Sequence, residues 1–338
     1  MIIGHRGAPG YRPEHSPASY HLALAQGAEA IEPDVVPSRD GVLVLRHDSE
    51  LSETTDVADR PEFADRRTVK VVDGHRLEGW FTEDFDWAEL ATLRCRERIP
   101  QLRPDSAAQN DEETLWRLQD LLALLTPART PAGDPVRLVL EVKHAAYYEA
   151  IGMPLAPLVH AELAAAGWDR QDAPLTIECF ELRILRQLQA LGVSAEYIFL
   201  MEERGTPADE VLFEGRPTTF EAYRSDASLA RLAAEVDGVS FDKRIIVPVD
   251  RKGRGLPATD AVARAHAAGL RVYTWTLRPE SPFLPTELRG EAAAGFGDYL
   301  PEWFAIFDSG VDGVFADHTD LALQARQHWC DIASRAPR

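Results

Sequence analysis

Short apolar, β-branched runs recur along the chain, and stretches with helical apolar spacing fill most of the gaps. The strand candidates are residues 2–5, 30–36, 42–47, 138–143, 175–180, 195–201, 238–242, 272–277 and 311–316. Residues 16–26, 115–125, 155–166, 181–191, 228–236, 259–268 and 301–308 carry apolar positions three and four apart, as a half-buried helix requires. Glycines such as Gly27 and Gly269 follow these stretches, where a helix C-terminus belongs. Strand–helix alternation over 338 residues predicts an α/β fold. Seven or eight such units favour a TIM-type (β/α)8 barrel over a doubly wound sheet, and no G-x-G-x-x-G follows the first strand.

Two features break the regularity. Residues 37–41 are too few for a parallel crossover and read Pro-Ser-Arg-Asp-Gly, which is turn chemistry. The second and third strands are therefore expected to be antiparallel, which also explains nine strand candidates for eight barrel seats. Residues 49–113 are too long for a structureless loop. They are expected to form a lobe inserted into a single 1–338 barrel domain and capping one end. A shorter insertion spans residues 279–298.

Composition narrows the function classes. Against 36 basic side chains stand 55 acidic ones, a net charge of −19. That surface repels nucleic acid and anionic lipid, so no nucleic-acid partner is expected. No run approaches a membrane helix, so no stable membrane insertion is expected. Ile2 to His5 read as a strand from the start, which leaves no room for a basic-then-apolar leader. Cytoplasmic placement follows, or export if a leader precedes this sequence. Cys95, Cys179 and Cys330 are isolated and support neither a disulfide framework nor a zinc site. A homo-oligomer is compatible with this composition.

Candidate chemistry sits at strand ends. Glu32 and Asp34 are two apart, so in a strand both carboxylates share a face and need a cation, either a metal ion or a salt-bridge partner. His5 ends the first strand and His47 the third. Glu141 and Lys143 repeat the two-apart pattern at the end of the fourth, as a mutual ion pair or as a metal ligand beside an anion contact. Barrel active sites are built at such strand ends. Three carboxylates without cysteine suit one hard divalent cation, Ca²⁺ or Mg²⁺ (Ca²⁺ slightly preferred), over zinc. Arg6 and Lys143 supply phosphate-gripping charge against the acidic background.

The stretch from Gly4 to Ser16 (GHRGAPGYRPEHS), then Glu32-Pro33-Asp34-Val35, and the run from Arg39 to Asp48 (RDGVLVLRHD) resemble the glycerophosphodiester phosphodiesterases, in particular the longer, bacterial periplasmic-type members. Landmarks continue through Gly79 to Phe85 (GWFTEDF), Leu140 to Lys143 (LEVK), Val272 to Thr276 (VYTWT) and Gly310 to Val314 (GVDGV). The resemblance implies a barrel of the phospholipase-C-like phosphodiesterase kind. It implies an acid/base pair in His5 and His47, and metal ligands in Glu32, Asp34 and Glu141. It further implies that Arg6 and Lys143 hold the phosphate and that Trp275 lines the glycerol end. The reaction so implied releases sn-glycerol 3-phosphate and an alcohol from a small glycerophosphodiester.

Three segments depart from the family pattern. Glu178-Cys179-Phe180 stands for a usual Gln-Ser-Phe, Glu113-Thr114-Leu115 for Pro-Thr-Leu, and Ala316-Asp317-His318-Thr319 for a Thr-Asp-x-Pro stretch. They bear on substrate preference and the lip of the pocket. His21, His75, His144 and His266 are read as structural or surface. Alternatives are a phospholipase-type enzyme on lysophospholipid, a polymeric glycerophosphate substrate, and a non-catalytic phosphoglycerol-binding protein.

Overall fold

The structure, a computed structural model, describes residues 1–335; the last three residues of the expected 1–338 span lie outside the described residues. Twelve strands form: β1 (Ile2–His5), β2 (Ala30–Glu32), β3 (Asp34–Pro37), β4 (Leu43–Leu45), β5 (Thr68–Val72), β6 (His75–Gly79), β7 (Arg137–Val142), β8 (Leu175–Cys179), β9 (Glu196–Met201), β10 (Gly238–Asp242), β11 (Arg271–Leu277) and β12 (Gly313–Ala316). Eight of them close a parallel barrel in the order β2-β1-β12-β11-β10-β9-β8-β7, and β7 returns to β2.

Pro33 interrupts the second strand. Beyond it β3 leaves β2, pairs with β7 at Asp34 and Glu141, and folds back antiparallel onto β4. β4 is thus the surplus strand and takes no seat in the ring. Most helical stretches form where the spacing places them, among them Pro17–Gln26, Leu182–Ala190 and Leu300–Asp308. The 17-residue helix Thr319–Arg335 was not legible, because its apolar stripe is thin and interrupted by charge. Among the described residues no helix is long and apolar enough to cross a membrane.

Strand alternation sorts the core into two layers. Ile2, Ile31, Leu138, Leu140, Ile177, Val272 and Val314 point outward into the layer under the helices. Their neighbours Ile3, Ala30, Val139, Ile198, Tyr273 and Phe315 point inward and fill the barrel. The period of two then carries the inward face onward along each strand. It sends His5, Glu32, Glu141, Glu178 and Trp275 to the interior at the C-terminal rim. That end is where a parallel barrel opens to ligand.

The segment after β4 builds its own apolar cluster around Leu51, Val57, Phe63, Trp80, Phe85 and Leu93, and carries the antiparallel β5–β6 hairpin. Ser49, Glu50, Val72, Asp73, His75 and Arg98 from this lobe line the cavity at the C-terminal rim.

Candidate active site

The cavity over the rim holds about 1180 Å³, and its lining includes His5, Arg6, Glu32, His47, Glu141, Lys143 and Trp275. Strand register explains why these residues meet. His5 lies beside Glu32 across β1 and β2, Asp34 beside Glu141 across β3 and β7, and Glu141 beside Glu178 across β7 and β8.

After β1 the chain turns sharply, with Arg6 at φ 53° and Gly7 at φ 91°. A side chain at Gly7 would strike Ser19, whose Oγ lies 2.5 Å from the Cβ position. The turn aims the Arg6 amide at Glu32 Oε2, 2.8 Å away. It also lets the Arg6 guanidinium donate to Glu14 at 3.1 Å and approach Asp34 at 3.3 Å.

His5 donates from Nδ1 to Asp317 Oδ1 at 2.6 Å, so Nε2 is the nitrogen left for the cavity. Asp317 is itself clamped by Arg103 and Arg278, each at 2.6 Å. The Ala316-Asp317 segment therefore belongs beneath the catalytic rim and not at the lip of the pocket. His47 is half-buried. Its Nδ1 donates to Asp48 at 2.6 Å, and its Nε2 accepts from Lys143 Nζ at 3.2 Å. Lys143 also donates to Glu141 at 2.7 Å. Trp275 packs edge-on against Phe180, with ring centroids 5.5 Å apart.

The carboxylates divide into two kinds. Asp34 Oδ2 accepts from His15 Nε2 at 2.9 Å, while Oδ1 has no hydrogen-bond partner and lies 3.8 Å from Lys143. Burial raises the Asp34 carboxyl, but Lys143 and Arg6 outweigh it and hold the group well below the ordinary carboxylate range. Glu32, Glu141 and Glu178 instead bring one oxygen each within 4.8 Å of one another. Burial pushes Glu141 up to about 8, against the opposing charge of Lys143. Glu32 and Glu178 are pushed well above their usual range by burial and by neighbouring carboxylates. Buried carboxylates this close call for a cation. Unpartnered buried oxygens on Glu32, Asp34 and Glu178 are the donors an oxygen-seeking divalent ion would use.

Both imidazoles are held neutral. Burial and the Arg6 charge lower His5 to about 4, against the pull of Asp317. Burial, Arg6 and Lys143 lower His47 to about 3. If Asp317 positions His5, Asp317→Asn should cut kcat roughly 10²-fold or more, leave KM little changed and shift the pH profile. An unchanged profile with full kcat contradicts that role.

Several residues of this site carried no sequence signal as site residues. Glu178 was noted only as a departure from a pattern. Arg98 reaches from the lobe to Glu14 and to Asp48, each at 2.6 Å. His144 and His75, expected to be structural or surface, both line the cavity, and His144 bonds to Asp73 at 2.5 Å.

The chain matches the model of the glycerophosphoryl diester phosphodiesterase family over residues 5–321. It is 32% identical over 327 residues to the glycerophosphodiester phosphodiesterase GDPD6 of Arabidopsis thaliana, covering 94% of this chain and 83% of the relative. A glycerophosphodiester phosphodiesterase of Treponema pallidum is 24% identical, over 96% of this chain and 91% of its own. Among solved structures, an Oleispira antarctica phosphodiesterase in complex with the product sn-glycerol-3-phosphate shares the fold, with TM-score 0.62, 22% identity, and 97% and 96% of the two chains covered. So does a glycerophosphodiester phosphodiesterase from Agrobacterium tumefaciens, with TM-score 0.59, 18% identity, and 96% and 99% covered. Strand order, rim chemistry and these matches agree: the chain belongs to the glycerophosphoryl diester phosphodiesterase family and is an enzyme of that class.

Proposed function

We propose that the chain hydrolyses small glycerophosphodiesters to sn-glycerol 3-phosphate and an alcohol, with one divalent cation and with His5 and His47 as the acid/base pair. The observation that carries this is the convergence of two neutral imidazoles, a buried carboxylate cluster and Lys143 on one rim. The product held by the similar Oleispira fold supports the substrate class.

Glu32, Asp34 and Glu141 would hold the ion, and Glu141 also accepts from Lys143. The chemistry supplied by a bound divalent ion would be neutralisation of phosphate charge and a lowered pKa for a hydroxyl. Lys143 and Arg6 hold the phosphate. Burial, with Arg6 acting on both histidines and Lys143 on His47, keeps the imidazoles neutral; a bound diester anion offsets those charges, so one imidazole can then carry a proton. One histidine takes the proton of the nucleophile, water or the glycerol 2-hydroxyl, and the other protonates the leaving alkoxide. Asp317 and Asp48 fix the tautomers by accepting from each Nδ1, leaving Nε2 to exchange protons. Trp275 lines the glycerol end.

Phe180, Phe220, Phe283 and Leu284 are among the apolar side chains that line the cavity. That lining favours, as a second reading, an alcohol with a lipid-derived part. A panel of glycerophosphocholine, glycerophosphoethanolamine, glycerophosphoglycerol and lysophosphatidylcholine, read as glycerol 3-phosphate or free headgroup, tests both. Glycerol 3-phosphate from the small diesters is expected. Turnover of the lysophospholipid alone contradicts the first reading.

The ion also has a stability signature. A histidine held at about 4 contributes stability that is present above about 6.5 and lost as pH falls. A glutamate held at about 8 contributes stability that is present below about 4.5 and lost as pH rises to about 8. A divalent ion replaces the glutamate protons. The rise in Tm on adding Ca²⁺ should therefore grow between about pH 5 and pH 8. Thermal melts with and without Ca²⁺ check this; a shift that stays flat or shrinks across the range contradicts it.

A further inference from the structure

Glu178 is the carboxylate that neither strand-end spacing nor the implied ligand set singled out. It lies on the inward face of β8 and is 2% exposed. Its register partner is Glu141. One of its oxygens lies within 4.8 Å of oxygens from both Glu32 and Glu141. Its Oε2 is buried without a hydrogen-bond partner, as is Oε1 of Glu32.

Among the described residues no side-chain cation makes an ion pair with it. Lys143 is engaged with Glu141 and lies near Asp34, while Arg6 is engaged with Glu14 and lies near Asp34. Glu178 and Glu32 are thus left with unpartnered buried oxygens while Lys143 and Arg6 are engaged elsewhere.

We propose that Glu178 ligates the divalent ion directly, as a donor beyond Glu32, Asp34 and Glu141, and that this extra carboxylate makes the site select Ca²⁺ over Mg²⁺. The inference rests on the reading above that the site holds a divalent ion. Ca²⁺ takes six to eight oxygen donors in flexible geometry, whereas Mg²⁺ keeps several waters and uses one or two carboxylates. A fourth carboxylate moves the donor set towards the larger Ca²⁺ shell and away from the one or two carboxylates and several waters that Mg²⁺ favours.

The test compares the chelator-stripped full-length protein with Glu178→Gln, which keeps the shape and removes the charge. Calorimetric titrations with Ca²⁺ and Mg²⁺ are run beside Tb³⁺ luminescence lifetimes in H₂O and D₂O, which count waters on the ion. The Gln variant should weaken Ca²⁺ binding at least about tenfold and Mg²⁺ binding less, so that selectivity falls. Glu178→Ala, which removes the donor oxygen that an amide keeps, should admit about one more water to Tb³⁺. Equal Ca²⁺ affinity in both variants overturns the proposal while leaving the metal reading intact. Weaker Ca²⁺ binding with an unchanged water count in Glu178→Ala also overturns it, since charge alone then acts. A wild-type protein that binds no divalent ion overturns the metal reading itself. Should the Gln variant fail to fold, Glu178→Ala supplies the affinity comparison as well.

Discussion

Alanine at His5 or at His47 is expected to cut kcat for a glycerophosphodiester about 10²–10⁴-fold, with the thermal transition little moved. The two imidazoles approach the carboxylate cluster from different sides. His5 stands beside Glu32 at the end of β1, and His47 bonds to Lys143, which bonds to Glu141. Each has one nitrogen fixed by an aspartate and one left to exchange protons. Neither is needed for folding. Without the His5 ring, Asp317 keeps Arg103 and Arg278. Without His47, Asp48 keeps Arg98. Because the two act in one cycle, the double variant should lose little more than the worse single one. Turnover within a few-fold of wild type in either single variant, measured at saturating substrate, contradicts the acid/base assignment.

The second large effect concerns stability and lies farther from the chemistry. Arg103 comes from the inserted lobe, its side chain is 6% exposed, and it bonds to Glu280 and Asp317 at 2.6 Å each. It ties three distant segments together under His5. Arg103→Met should cost about 3–5 kcal/mol of unfolding free energy, because it strands buried charge that was paired. Glu280 suffers most: among the described residues Arg103 is its only ion-pair partner, and its other oxygen already has no hydrogen bond. Asp317 retains Arg278 and His5, so the loss of kcat should be smaller than in the histidine variants. Chemical denaturation of wild type and variant measures the cost. A difference under about 1 kcal/mol would mean that the pair is no better than a solvated one.

The barrel was legible because its strands are buried on both faces and read as Val, Ile and Leu runs. The antiparallel detour of β3 and β4 was legible for a different reason: five residues cannot make a crossover. The candidate site was legible wherever two charged residues lay two apart at a strand end, as in Glu32 with Asp34 and Glu141 with Lys143. Glu178 has no such neighbour. It sits between Ile177 and Cys179, and only its register with Glu141 reveals it. Arg98 and Arg103 were hidden among the many charges of the lobe, because their partners lie as far as 214 residues away. Asp317 showed in the sequence as a departure at the pocket lip; its place under His5 follows from the pairing of β12 with β1. Long-range pairing of this sort leaves no periodicity to read.

The rim is expected to cleave a glycerophosphodiester with help from a divalent ion. The direct measurement is glycerol 3-phosphate released from glycerophosphocholine by the full-length protein. It is followed with chelator alone, then after restoring Ca²⁺ or Mg²⁺ in excess. Release that collapses under chelator and returns with the ion is the predicted result. Release that is indifferent to the chelator, or absent under every ion, contradicts it.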